Sequence, residues 1–431
     1  MKEINNNYVA AIDIGTTKIV ALIGKKNEFN KLEIVGFSST KSTGVRRGVV
    51  INIEETIGAI KRVVSDVEIQ TNIKIKEVFV GIAGQHIRSI QNNGRINRNN
   101  DDAISEKDIQ KLFDDMFLLP VEPDEEIIHV LSQSYVIDGE YTEKSPLGMS
   151  GRKLEGNFHI VIGKIASANN IKKCIKRADI DVSGLILEPL ASSAAVLTNE
   201  EREVGVALVD IGGGTTDIAI FHDNVIRHTA VIPFGGNVIT NDIKMEFAIT
   251  EDVAEKLKVE LGSVLFDSAE QDQNIVIAGV NGRPAKHVSL SALSGVIRAR
   301  MDEIIGAILF EIESSNCFNK LGAGIVITGG GSLLNYLPQL ISFKSGLDVK
   351  IGYPNEHLAG NNAEKINHPM YATSAGLLLK GFEEFEKQKI VESANKVKEE
   401  IKEPEIKAPI KKEKKSIGSI FLNFFDDKNI K

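Results

Sequence analysis

Val206-Ala207-Leu208-Val209-Asp210-Ile211-Gly212-Gly213-Gly214-Thr215-Thr216-Asp217-Ile218-Ala219-Ile220 is two apolar runs joined by a glycine-rich polar turn, the pattern of a buried β-hairpin. About 200 residues earlier, Tyr8-Val9-Ala10-Ala11-Ile12-Asp13-Ile14-Gly15-Thr16-Thr17-Lys18-Ile19-Val20-Ala21-Leu22-Ile23 shows the same pattern. Solenoid repeats recur every ~20–50 residues, so a repeat this distant predicts two related domains that each open with one hairpin. Aligned on the Asp and the Thr-Thr pair, Asp13 matches Asp210, Thr16 matches Thr215, Thr17 matches Thr216 and Lys18 matches Asp217. The turns are alike in form and differ in charge.

Each turn carries the parts of a phosphate site. Gly15, Thr16 and Thr17 can turn backbone N–H groups toward an anion, and Gly212, Gly213 and Gly214 allow a still closer approach because they lack side chains. Asp13 and Asp210 would repel bare phosphates, which makes sense if Mg²⁺ and its waters lie between. Lys18 would add a point charge. One such hairpin is equally compatible with a ligand-free turn; the duplication favours a pair gripping a polyphosphate. A third glycine turn, Gly329-Gly330-Gly331, follows the apolar run Ile325-Val326-Ile327-Thr328, with Ser332 expected to cap a helix. Alone it is as compatible with a tight turn as with a ligand. P-loop, Gly-x-Gly-x-x-Gly, His-Glu-x-x-His and Gly-x-Ser-x-Gly patterns are missing, so those chemistries have no support.

Outward from the hairpins, Val78–Gly84 predicts a buried strand, and Gln85–Lys164 mixes short strands with a polar helix near Ser105–Met116. Thr250 is expected to cap a helix reaching Leu261, with Glu251 and Asp252 in its first turn and Gly262 as its stop. Strands alternating with helices predict α/β architecture. The length of 431 residues excludes a single small core. No run of 18 apolar residues occurs, and Met1-Lys2-Glu3-Ile4-Asn5-Asn6 has no hydrophobic core of a secretory signal. Cys174 and Cys317 fit neither a disulfide framework nor a zinc site, which predicts a cytoplasmic address.

The paired hairpins, with Gly324–Leu334, resemble in order and spacing the two phosphate motifs and the adenosine motif of the actin, heat-shock chaperone and sugar-kinase superfamily. Within it the sequence resembles the FtsA family of bacterial cell-division proteins over essentially its whole length. Gly44-Val45-Arg46-Arg47-Gly48-Val49-Val50, Gly81-Ile82-Ala83-Gly84-Gln85-His86-Ile87 and Ser145-Pro146-Leu147-Gly148-Met149-Ser150-Gly151 carry that likeness, as do Ile232–Ile243 and the apolar carboxy terminus. The resemblance implies an actin-like duplicated two-lobed fold with an inserted subdomain and a C-terminal amphipathic helix. Residues 1–83, 165–203 and 372–382 would form the first lobe, with 84–164 inserted. Residues 204–239 and 306–371 would form the second lobe core and 240–305 its small subdomain, followed by a charged linker (383–415) and a membrane helix (416–431).

ATP and Mg²⁺ would occupy the cleft, held by Asp13, Gly15, Thr16, Thr17, Lys18, Asp210, Gly212, Gly213, Gly214, Thr215 and Thr216. Gly235, Gly236, Gly329, Gly330, Gly331 and Ser332 would approach the nucleotide, and Asp13 and Asp210 would face the metal. Glu255 and Lys258 would flank adenine and ribose, or form an ordinary i,i+3 ion pair. Glu188 would position the attacking water, or serve as a helix cap or hinge. Ala372-Thr373-Ser374-Ala375-Gly376 would be a crossing helix, although core packing explains its small residues equally well. The implied partners are the tubulin-like protein FtsZ, whose tail would bind near 240–305, further copies in actin-like filaments, and later division proteins. Arg298 and Arg300 are candidate FtsZ contacts, or a solvated helix face. ATP hydrolysis would be slow if present. A pilus-assembly adaptor and a small-molecule kinase of the same superfamily are the alternatives.

Ile417, Ile420, Phe421, Phe424 and Phe425 recur at helical spacing, and Leu422 widens their face. Lys411-Lys412-Glu413-Lys414-Lys415 precedes them, the combination of an interfacial membrane helix. Docking on its own domain or in a partner groove is the other reading. With the resemblance, the pattern predicts peripheral attachment to the cytoplasmic face of the inner membrane at the septum. The net charge of −8 disfavours nucleic acid. It conceals a contrast: 411–431 holds six lysines against Glu413, Asp426 and Asp427, leaving −11 on the rest of the chain.

Overall fold

The computed structural model describes residues 2–3, 8–99, 101–265, 273–279, 284–355, 357–360 and 362–400, excluding the side chains of 2–3 and 388–400. The described residues up to Glu384 form one compact unit, and those from Phe385 to Glu400 belong to another. The segment Ile417–Phe425, proposed for the membrane, lies outside the described residues.

The first hairpin is the strands Val9–Ile14 and Lys18–Lys26, and the second is Val206–Ile211 and Thr216–His222. Both initial strands are buried along their whole length. Such continuous apolar runs suit strands covered on both faces rather than the alternating pattern of a half-exposed sheet. Around each hairpin the same sheet is built. In the first, Leu32–Lys41 extends the antiparallel side, while Glu77–Ile82 and then Asp181–Leu187 add in parallel on the other side. In the second, Val225–Ile232 is the antiparallel extension, and Ile325–Thr328 and Val349–Ile351 are the parallel ones. The duplication visible in the sequence is therefore a duplication of topology, and the expected α/β two-lobed architecture is the one adopted. The chain also crosses between lobes: Leu358–Ala359 pairs with Leu32–Glu33 at the edge of the first sheet.

Helix Ile53–Thr71 covers the first sheet with Ile57, Ile60, Val63 and Val67. Asn52 caps it by accepting from Glu55 N–H, and Asn72, at φ 55°, ends it in the left-handed region. Residues between the first sheet's two parallel strands form a third sheet, with antiparallel strands ordered Glu140–Thr142, Glu125–Ile137, Lys153–Lys164, Ile87–Asn97. Its core is its own: Leu112 and Met116 of helix Glu106–Phe117 pack with Leu154 and Phe158. Ser105 and Asp108 close a reciprocal cap at that helix's start.

The insert also docks on the second lobe. Gln133 Nε2 donates to Ile226 O at 2.8 Å, Ser89 Oγ to Thr229 O at 3.1 Å, and His159 Nε2 lies 2.8 Å from Thr229 Oγ1. Beyond Val225–Ile232, helices Gly236–Phe247, Glu251–Leu261 and Leu290–Ser314 and strands Asn274–Ile277 and Lys286–Ser289 share one core with the second sheet. No described helix is long and apolar enough to cross a membrane.

Candidate functional site

Four chain segments that leave the carboxyl ends of sheet strands meet at one cavity. Ile14 leads into Gly15–Thr17, Leu187 into Glu188, Ile211 into Gly212–Thr215, and Thr328 into Gly329–Gly331. Open α/β sheets bind ligands at this end. Here two sheets present it to each other, around a cavity of about 390 Å³, within the size range of small-molecule sites. Gly212–Thr215, Gly15–Lys18, Gly236, Glu255, Lys258 and Gly329–Gly331 line it, with Asp13, Glu188 and Asp210.

The hairpin turns touch. A Cβ on Gly213 would overlap Thr17, and one on Gly214 would overlap Thr16, so the second turn tolerates only glycine at this approach. The second turn is fixed from behind by helix Gly236–Phe247, whose Gly236 N–H donates to Gly212 O at 2.9 Å and Asn237 N–H to Gly213 O at 2.8 Å. Among the described residues, the N–H groups of Thr16, Thr17, Gly213 and Gly214 have no hydrogen-bond acceptor. A lined cavity with unspent donors from both lobes has the chemistry to accept an anion.

Asp13, Glu188, Asp210 and Asp217 gather at the cavity, which Lys18 and Lys258 also line. Asp13 accepts from Ser374 Oγ at 2.6 Å, and Asp210 accepts from Ser192 Oγ at 2.6 Å and Thr373 Oγ1 at 2.9 Å. Burial raises the Asp210 pKa, against these hydroxyl donors and Lys18. Burial also holds Asp217 and Glu188 well above the ordinary carboxylate range; Asp210 adds to it for Asp217, and Asp13, Asp217 and Asp210 add to it for Glu188. Asp217 Oδ1 is buried without a hydrogen-bond partner. Lys18 Nζ stands 5.5 Å from the centre of the Tyr371 ring. Carboxyls whose pKa values are raised partly by one another suit a cation, whose charge would relieve that repulsion. Among the described residues no three His, Cys, Asp or Glu side chains close to direct metal-binding spacing, so hard oxygen donors of this kind fit a Mg²⁺ held mainly through water and ligand oxygens.

Of the residues proposed from sequence, Thr216, Gly235 and Ser332 do not face the cavity. Thr216 is buried and donates to Phe234 O at 3.0 Å. Ser332 sits inside a short 3₁₀ turn, Gly330–Leu333, and donates to Gly329 O at 2.7 Å. It caps no α-helix; the next one, Leu337–Ser345, begins after Tyr336. Thr250 precedes its helix as expected, though its side chain makes no cap bond. Glu255 and Lys258 are both an ion pair, at 2.7 Å, and cavity-lining, and Lys258 also donates to Gly236 O at 3.1 Å and Thr240 Oγ1 at 2.8 Å. Glu188 begins helix Glu188–Val196 and reaches the cavity. Arg298 and Arg300 are engaged by their own subdomain, through Asp302, and through Asp242 and Glu303.

Gly48, Asn237, Met370 and Thr373 line the cavity without having been foreseen. Asp217, which aligns with Lys18, lines it as well; Gly48, Asn237 and Thr373 lie in segments quoted above for the family likeness or the crossing helix, and Met370 had no pattern of its own.

Residues 207–376 match the family profile described as "Cell division protein FtsA", and residues 84–162 match the "SHS2 domain inserted in FTSA". The cell division protein FtsA of Pseudomonas aeruginosa is 38% identical over 379 residues, covering 88% of this chain and 90% of that protein. FtsA of Escherichia coli K12 is 32% identical over 390 residues, covering 89% and 92%. Among solved structures, a PilM–PilN type IV pilus biogenesis complex superposes with a TM-score of 0.63 at 14% identity, covering 86% of this chain and 98% of that one. MreB5 of Spiroplasma citri bound to ADP gives 0.53 at 16% identity, covering 89% and 98%. At these identities the two structures establish the fold alone.

Proposed function

The chain belongs to the FtsA family of cell-division proteins, and from that premise we propose that it binds ATP with Mg²⁺ in its cleft, assembles into actin-like filaments and tethers FtsZ filaments to the cytoplasmic membrane. One observation carries the nucleotide reading: unspent N–H donors from both lobes face a single cavity beside Lys18. In this reading the turns at Gly15–Thr17 and Gly212–Thr215 hold the phosphates, and Lys18 places a charge among them. Glu255 and Lys258 flank the adenosine. Mg²⁺, for which Asp13 and Asp210 are the candidate holders, would neutralise phosphate charge when bound. Glu188, whose carboxyl burial and the neighbouring Asp13, Asp217 and Asp210 hold well above the ordinary carboxylate range, would position the attacking water.

The membrane is reached through Ile417, Ile420, Phe421, Leu422, Phe424 and Phe425. Each large apolar side chain contributes about 1.5–3 kcal/mol when fully buried, but a helix of about three turns must fold as it binds. A single tail then binds reversibly, whereas a filament multiplies its effect by about 10²–10⁴. FtsZ would be held by the subdomain at 240–305, with Arg298 and Arg300 serving that subdomain's own stability, and later division proteins would join at the septum. The pilus-assembly reading rests on fold at 14% identity, and nothing in the cavity identifies a kinase's second substrate. Liposome flotation tests the proposal: full-length protein should float with anionic vesicles and more strongly with ATP than with ADP or no nucleotide. A chain ending at Lys415 should stay at the bottom; equal flotation of both chains would refute the tail as the anchor.

A further inference from the structure

Helix Glu188–Val196 and the helix that starts at Ala372 cross so closely that a Cβ on Gly376 would overlap the Ala191 backbone. Alanine and glycine alone satisfy such a crossing. The hydroxyls of Ser192, Thr373 and Ser374 need another reason, and these three donate to the cavity's carboxylates. Ser374 Oγ donates to Asp13 Oδ2 at 2.6 Å; Thr373 Oγ1 and Ser192 Oγ donate to Asp210 Oδ2 at 2.9 and 2.6 Å. A hydroxyl has one proton. With both protons spent on Asp210, the 3.0 Å approach of Ser192 Oγ to Thr373 Oγ1 is proximity rather than a further bond.

Asp13 belongs to the first lobe's hairpin and Asp210 to the second's. Two adjacent residues of one helix therefore hold one aspartate from each lobe. Both carboxylates keep Oδ1 without a hydrogen bond from the described residues. We infer that Thr373 and Ser374 are positioning residues that fix the separation and orientation of Asp13 and Asp210, and so set how much Mg²⁺ the protein needs to bind ATP tightly. The inference rests on the nucleotide reading above. Bonds from neutral donors to a charged acceptor in a water-poor site are strong enough that losing one costs about tenfold in a dependent equilibrium.

The test is ATP affinity of the full chain, measured by competition with a fluorescent ATP analogue across a Mg²⁺ titration and in EDTA. Thr373→Val keeps the side chain's volume and removes the donor; Ser374→Ala removes the other. Each variant should need about tenfold more Mg²⁺ for half-maximal tightening, while its affinity in EDTA stays within about twofold of the unaltered chain. Thr373→Ser should restore the original requirement. An unchanged Mg²⁺ requirement overturns the inference, and so does an equal loss with and without Mg²⁺, which would mark a general distortion of the cleft. If Thr373→Val does not fold, Thr373→Ala carries the same comparison with less bulk. An unaltered chain that fails to bind ATP overturns the nucleotide reading itself.

Discussion

Replacing Gly214 by alanine should separate the two hairpins without unfolding either lobe. The new Cβ would lie 2.7 Å from Thr16 Cβ, whereas ordinary contact begins at 3.4 Å. The missing distance is about 0.7 Å, and the Thr16 hydroxyl would be nearer still. Thr16 is not free to turn aside, because its Oγ1 accepts from Gly48 N–H at 3.1 Å. Overpacking of this kind costs about 1–3 kcal/mol. In the empty protein the lobes can part and relieve it, but a ligand gripped by both turns forces the clash, so the cost falls on affinity. At about 1.4 kcal/mol per tenfold, ATP should bind roughly 5- to 150-fold more weakly. Gly330→Ala is the control, since a Cβ there meets nothing within 4 Å although Gly330 lines the same cavity. Equilibrium binding of a fluorescent ATP analogue with Mg²⁺ reads both. Binding by Gly214→Ala within twofold of the original chain, or an equal loss in Gly330→Ala, would refute the two-turn grip.

Two titrations give further predictions. The folded pKa of Glu188 is raised above its ordinary value of 4.5, so the folded protein holds a proton that the unfolded chain releases. Stability is then lost as pH rises above about 4.5 toward the folded value; Glu188→Gln should melt above the nucleotide-free parent at pH 8 and level with it at pH 5, and parallel melting curves at both would count against this. His159 has the opposite sign: burial, then the charge of His228, lowers it from 6.5 to about 4. The unfolded chain takes up its proton first on acidification, which removes about 2 kcal/mol by pH 5. Urea midpoints at pH 7 and pH 5 should show a smaller acid loss in His159→Gln, and an undiminished loss would show that this histidine does not govern docking of the insert.

The hairpins were legible because their signals are local. Apolar runs of period and length suited to buried strands, glycine where two backbones meet, and an aspartate at each strand end all lie within sixteen residues of sequence in each copy. The polar helix near Ser105–Met116 and the stop at Gly262 were local too. Ser332 misled for the same reason: a hydroxyl after glycines has the composition of a helix cap, but the chain tightens into a 3₁₀ turn that uses the hydroxyl internally.

Thr373 and Ser374 were read as small residues for close packing, which they are. That their hydroxyls also hold carboxylates 163 and 361 positions away is invisible to any local pattern. The same applies to His159 meeting Thr229, to Gly48 beneath Thr16, and to Arg298 and Arg300 finding carboxylates of their own subdomain. Sequence alone thus determined the repeated hairpin, the two-lobed α/β class and the kind of chemistry its turns could perform, because backbone conformation and apolar periodicity are set by neighbours along the chain. Tertiary structure decided which side chains share the cleft and which are consumed in holding others, because hydrogen bonding and burial depend on distance in space.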